Sequence, residues 1–113
     1  MKIYHNPRCN KSRQALAIVE KNTSEFEIVE YLKNPLTVEE IKVLLPQLNM
    51  KASELVRTQE AIWKENYKGK ILTDNEIINI MVKNPKLIER PIVKHNNKAV
   101  IGRPPENVLS LFT

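Results

Sequence analysis

Residues 2–31, KIYHNPRCNKSRQALAIVEKNTSEFEIVEY, decide the fold. Lys2 to His5, built on the apolar pair Ile3-Tyr4, reads as a first strand. Asn6-Pro7-Arg8 is a loop, because proline has no N–H to give a ladder and disfavours helix for the residue before it. A helical pattern begins near Asn10 and runs from Ser12 to Lys21, with Ala15, Leu16, Ile18 and Val19 on one broad apolar side. Asn22-Thr23-Ser24 ends it. Phe26 to Tyr31 then reads as a second strand, with Phe26, Ile28 and Val29 as its buried residues. Two strands joined through a helix lie parallel, with a right-handed crossover.

At the other end of the chain, Ile92–His95 and Lys98–Ile101 read as two strands about the turn Asn96-Asn97. Asparagine tolerates the positive φ that tight hairpin turns need. Gly102-Arg103 leaves the hairpin, and Pro104-Pro105-Glu106 opens a closing helix whose Val108, Leu109, Leu111 and Phe112 are expected to pack down. Between the two ends, about residues 36–84, the pattern is helical. Thr37 and Glu40 are spaced as a capping box, with Leu36 and Ile41 as a hydrophobic staple across it. Ile41, Leu44, Leu45 and Leu48 follow at helical spacing, with Pro46 set to shorten or kink the helix. Ser53 to Arg57 and Gln59 to Lys64 read as short helical pieces, and Tyr67-Lys68-Gly69-Lys70 as a turn. Leu72 to Ile77 repeats the cap and staple before Ile77, Ile78, Ile80 and Met81.

The order β-α-β, helices, β-β-α predicts an α/β fold: a thioredoxin-like mixed four-stranded sheet with a helical insertion, in one domain over residues 1–113. A flavodoxin-like fold fits less well, because the last strands form a hairpin. The thioredoxin-like arrangement places Cys9 at the carboxyl end of the first strand, where open α/β sheets put ligands.

The chain of 113 residues is long enough for one core. The net charge of +5 raises a nucleic-acid binder as one reading. The basic residues are scattered among acids, however, and only one Trp, three Tyr and two Phe are there to stack on bases. Attraction to small anions is the expectation, with no nucleic-acid or membrane partner. No apolar run approaches membrane-spanning length, and the start lacks the apolar region of a secretory signal, so a cytoplasmic protein is expected. The single cysteine excludes an intramolecular disulfide, a CxxC pair and a thiol-rich zinc site. If Cys9 is oxidised in a cycle, the second thiol comes from another molecule.

Cys9 stands at the start of a helix, where free N–H groups and the macrodipole favour an anion and hence a thiolate. Arg8, Lys11 and Arg13 add charge nearby. The competing reading is a small buried hydrophobe. Polar neighbours on both sides, Asn-Pro-Arg and Asn-Lys-Ser, speak for the reactive one. Ser12 is placed to donate a hydrogen bond to the thiolate, or to serve as an ordinary helix cap. His5, as an imidazolium, would favour the thiolate, or would simply end a strand. Arg57, Arg90 and Arg103 each sit at an element boundary and carry a fork of donors suited to a tetrahedral oxyanion. Each alone also reads as a surface charge.

The stretch Tyr-His-Asn-Pro-x-Cys-x-x-Ser-Arg at 4–13 resembles the opening of the glutaredoxin-dependent arsenate reductases. So do Arg-Pro-Ile-Val at 90–93 and Arg-Pro-x-Glu at 103–106. The resemblance runs from the first strand to the last helix. It implies a thioredoxin-like fold with a helical lobe, Cys9 as nucleophile, and His5 as a residue keeping it ionised. It implies Arg57, Arg90 and Arg103 as oxyanion-binding arginines, and a cis Arg90-Pro91 bond. Longer members carry a C-terminal extension beyond the point where this chain stops.

The resemblance implies reduction of arsenate to arsenite, with glutathione as co-substrate and glutaredoxin as the partner that resolves the mixed disulfide. No metal and no tightly bound cofactor is expected. Two other functions remain open. One is a thiol transferase acting on another substrate. The other is a non-enzymatic regulator of the Spx type that binds RNA polymerase, although Ser12 stands where the second cysteine of such a regulator's CxxC switch would be.

Overall fold

The computed structural model describes residues 1–112. It divides into two compact units: Met1–Asn34 with Arg90–Thr113, and Pro35–Glu89.

The first unit holds β1 (Lys2–Tyr4), α1 (Asn10–Asn22), β2 (Glu27–Val29), β3 (Ile92–His95) and β4 (Lys98–Ile101), closed by a 3-10 helix over Pro105–Phe112. The sheet order is β2-β1-β3-β4. β1 pairs parallel with β2, Ile3 opposite Ile28, and antiparallel with β3, Ile3 opposite Val93. β3 and β4 form the expected hairpin, with Val93 opposite Val100 and Asn96 at φ 55 in its turn. This is the mixed α/β sheet of the thioredoxin-like class. The central strands are the apolar ones: Ile3 and Val93 are fully buried with Ala15 and Val19 of α1 and Val108 of the closing helix. Each of the isoleucine and valine side chains, fully buried, contributes about 1.5–3 kcal/mol.

Two expectations fail here for reasons of packing. β2 is an edge strand of only three residues, so its side chains are not covered on both faces. Ile28 is 45% exposed, and Phe26 and Val29 are only half-buried. The closing helix winds as a 3-10 helix, whose side chains repeat every three residues. It therefore buries Pro105, Val108 and Leu111 and leaves Leu109 45% exposed, against the expectation that Leu109 packs down. The Arg90-Pro91 peptide is cis, as expected, and Arg103-Pro104 is cis as well.

The second unit contains α2 (Val38–Leu48), α3 (Ala52–Leu55), α4 (Ala61–Asn66) and α5 (Asp74–Lys83), followed by a 3-10 turn at Pro85–Leu87. Both expected capping boxes form. Glu40 N–H donates to Thr37 Oγ1 at 3.1 Å and Thr37 N–H to Glu40 Oε1 at 3.0 Å. The same exchange joins Thr73 and Glu76 at 3.2 and 2.9 Å. Leu36 and Ile41 are both buried, as the staple requires. α2 continues through Pro46 to Leu48 and stops at Asn49, which takes φ 56. The two short helical pieces form with shifted ends, as α3 and α4. Among the described residues, no helix is long and apolar enough to cross a membrane.

Candidate active site

The site grows out of the loop between β1 and α1. His5 N–H donates to Val29 O at 2.8 Å, which carries the β1–β2 ladder one residue past the strand. The chain then turns tightly: Asn6 Oδ1 accepts from Arg8 N–H at 3.0 Å, and Asn6 O accepts from Cys9 N–H at 3.0 Å. Cys9 becomes the N-cap of α1, extended at φ −96 and ψ 123, and its carbonyl accepts from Arg13 N–H at 3.0 Å. A cap normally offers a side-chain oxygen to the free N–H groups of the first turn. Here that place is held by a sulfur, which is partly exposed.

Arg90 and Arg103 reach this sulfur from the far end of the chain. Arg103 Nη2 lies 3.7 Å from Cys9 Sγ, while its Nε donates to Arg90 O at 2.9 Å. The guanidinium is thus braced on one backbone carbonyl while it faces the thiol. Burial pushes the Cys9 thiol up. The Ser12 backbone N–H, the side-chain donors of Arg90 and Arg103, and the charge of Arg90 outweigh it and bring the thiol down to about 7. A large fraction is therefore thiolate at neutral pH.

Ser12 and His5 do other work than expected. The Ser12 hydroxyl is fully buried and turned away from the sulfur: it lies 2.6 Å from His5 Nδ1 and accepts from Asn6 N–H at 3.0 Å. What Ser12 gives the thiolate is its backbone N–H. Ser12 Oγ thus holds both the His5 ring and the Asn6 backbone, since a hydroxyl can donate once and accept twice. Burial lowers the His5 pKa, with Glu30 opposing and Arg13 assisting. That direction works against the imidazolium, one of the two readings His5 offered. His5 is a buried ring (6% exposed) that ties the end of β1 to the first turn of α1 through Ser12.

The other cations near the loop are turned elsewhere. Arg13 donates to Pro7 O at 2.9 Å and bonds Asn10 Oδ1. Arg8 and Lys11 are exposed. Arg57 belongs to the second unit. Its backbone N–H donates to Leu87 O at 2.6 Å, and its Nε lies 3.9 Å from Glu60 Oε1. Its side chain is only 16% exposed, and Nε and Nη1 are buried with no hydrogen-bond partner. Buried guanidinium donors in that state suit an anion. Among the described residues, no group of three or more His, Cys, Asp or Glu side chains is placed to hold a metal ion.

Sequence reasoning missed Gly102 and Asn107. A Cβ on Gly102 would lie 2.8 Å from Pro91 Cγ and 3.1 Å from Ala15 Cβ. Asn107 Nδ2 donates to Ile101 O at 3.2 Å and Arg103 O at 3.0 Å. The adjacency Gly102-Arg103 was the available signal for the first. Nothing in the local sequence marks the second.

Comparison with known proteins identifies the family. The model of the ArsC family matches residues 4–111. The chain is 49% identical over 113 residues to the uncharacterized protein YfgD of Escherichia coli K12, covering 98% of this chain and 95% of that one. It is 37% identical over 112 residues to a protein of Haemophilus influenzae named arsenate reductase, covering 97% of each. The solved structure of an arsenate reductase from Vibrio cholerae superposes with a TM-score of 0.92 at 42% identity, covering 98% of both chains. With a match over nearly its whole length and these identities, the chain belongs to the ArsC family.

Proposed function

We propose that this protein reduces arsenate to arsenite, with Cys9 as nucleophile and glutathione as the source of the second sulfur. The carrying observation is the Cys9 thiol at about 7, faced by Arg90 and Arg103 at the N-terminus of α1. That arrangement offers a nucleophile and positive charge to the same small anion. The thiolate attacks arsenic, an S–As bond forms, and one arsenate oxygen leaves as water after taking up protons. A glutathione thiolate then bonds to Cys9 Sγ. The electron pair of the S–As bond stays on arsenic, taking it from As(V) to As(III), and arsenite departs. The product on the protein is a Cys9–glutathione mixed disulfide. Glutaredoxin removes the glutathionyl group by thiol exchange and returns the Cys9 thiol.

The single cysteine supports an external second thiol, since the chain carries no resolving partner of its own. Arg90 and Arg103 bind the oxyanion. Arg57 is assigned the same chemistry on its buried Nη1, which has no hydrogen-bond partner. His5 and Ser12 act by holding the loop. The cycle uses glutathione as co-substrate and calls on no tightly bound cofactor or metal. The cytoplasm, where thiols are kept reduced, is the compartment it suits.

The test is turnover of arsenate with glutathione and glutaredoxin, run beside Cys9→Ser. Arsenite formation by the wild type and none by the variant, with unchanged circular dichroism, is the expected result. Equal rates for the two proteins would sink the proposal, as would turnover of a glutathionylated peptide with no arsenate turnover.

A further inference from the structure

We infer that Asn107 is a positioning residue for Arg103, so that ionisation of Cys9 depends on an amide that touches neither the sulfur nor the substrate. The inference rests on Cys9 being the reactive thiol, but not on arsenate being its substrate.

Arg103 is exposed, and its long side chain must lose rotamer freedom to hold a fixed pose. Such a side chain faces one sulfur reliably only if the backbone beneath it is fixed. That backbone, 102–104, lies between β4 and the closing helix and belongs to neither. On the inner side, Gly102 is pressed against the Pro91 ring and Ala15, and its N–H donates to Pro91 O at 2.8 Å. On the outer side the constraint is Asn107. One amide nitrogen donates to the carbonyls of Ile101 and Arg103, the residues on either side of Gly102. The segment is held between the two. From it, Arg103 Nε reaches Arg90 O and Nη2 faces Cys9 Sγ.

An ordinary structural duty does not account for Asn107. It is exposed, so it adds nothing to the core. It lies in the first turn of the closing helix, where a capping side chain accepts from free N–H groups. The Asn107 side chain instead donates, to Ile101 at the end of β4 and to Arg103 itself, the two ends of the turn through Gly102.

The test reads the pH dependence of iodoacetamide alkylation at the lone cysteine in the wild-type protein and its variants. Asn107→Ala is expected to move the titration upward, which slows alkylation about threefold at roughly pH 6, where the rate follows the thiolate fraction. Asn107→Asp is expected to do at least as much, because a carboxylate would face two carbonyl oxygens. Yet an acid in a helix's first turn is otherwise favoured, so Asn107→Asp supplies the same readout should the alanine variant fold poorly. Asn22→Ala is the control. It removes a similar amide-to-carbonyl bond, to Ile18 O at 2.8 Å, at the other end of α1, and should leave the titration in place. In an Arg103→Ala background, Asn107→Ala should add no further shift, since the two residues act as one unit. A folded Asn107→Ala that titrates as wild type overturns the inference, and so does a shift that persists undiminished without Arg103. If alkylation behaves as stated but no variant or wild type turns over arsenate, the proposed function falls and this inference stands.

Discussion

In the unit Pro35–Glu89, helix starts are made by near neighbours: Thr37 with Glu40, Lys51 with Glu54, Thr73 with Glu76. In the other unit, the contact that matters for chemistry joins Cys9 to Arg103, 94 positions away. The first kind of structure is fixed by pairs three residues apart and tolerates change elsewhere. The second exists only when the sheet, the hairpin and the strap at Gly102 are all in place. A reactive thiol assembled in this way is sensitive to backbone position far along the chain. It should be indifferent to how well the helices of Pro35–Glu89 are capped.

The sharpest way to test that contrast is to remove the remote partners. Arg103→Ala and Arg90→Ala are each expected to lower kcat/KM for arsenate by about 100- to 1000-fold, the range seen when one preorganised donor to a developing charge is lost. Arg103→Lys should recover only part of the loss, because an ammonium cannot span both the Arg90 carbonyl and the sulfur. A loss of less than about tenfold in the alanine variants would break the comparison at its stronger end. Next is Leu44→Ala in α2, where the side chain is 1% exposed. It should cost about 2–5 kcal/mol in denaturant unfolding. The alkylation profile of Cys9 in the folded protein should not move. A shift in that profile would mean that the two kinds of specification are not separate.

A pH series sharpens the same point through linkage. The folded-state thiol lies at about 7, below its value in an unfolded chain. The ionised form is therefore the one that the fold favours. Its contribution is present above the unfolded value and is lost as pH falls through about 7. The stability difference between wild type and Cys9→Ser should grow as pH rises through and above neutrality. Unfolding titrations that give a constant difference across that range would remove the thiolate from the account. At smaller scale, Thr37→Ala deletes half of a capping box and is expected to cost about 1 kcal/mol with no change in arsenate turnover.

How far each region could be read in advance follows from the same contrast. Thr37 with Glu40 and the turn around Asn96 were legible because their causes lie within a few residues. Cys9 at the head of α1 was legible for the same reason. Edge position was not: whether Ile28 is covered depends on what stands beside β2, and no neighbour in sequence says so. The Ser12 hydroxyl was expected at the sulfur, yet it pairs with His5 because buried groups there must satisfy one another. The same burial lowers the His5 pKa. The approach of Arg90 and Arg103 to Cys9 needed coordinates. The family resemblance implied a shared role for them, but spacing alone did not.

The closing helix offers the smallest effect and a clean discrimination. An α-helical reading of 105–112 puts Leu109 one turn beyond Pro105, on its face; the 3-10 winding puts Pro105, Val108 and Leu111 in line and turns Leu109 outward. With 45% of Leu109 exposed, Leu109→Gln should change the unfolding free energy by less than about 0.5 kcal/mol. Leu111→Ala, at 7% exposed, should cost about 2–5 kcal/mol. The pair is informative because both residues are leucines in one short element, and the winding sets which of them is buried. Comparable losses at the two positions would restore the α-helical periodicity. They would also move the first turn that carries Asn107, and with it the strap under Arg103.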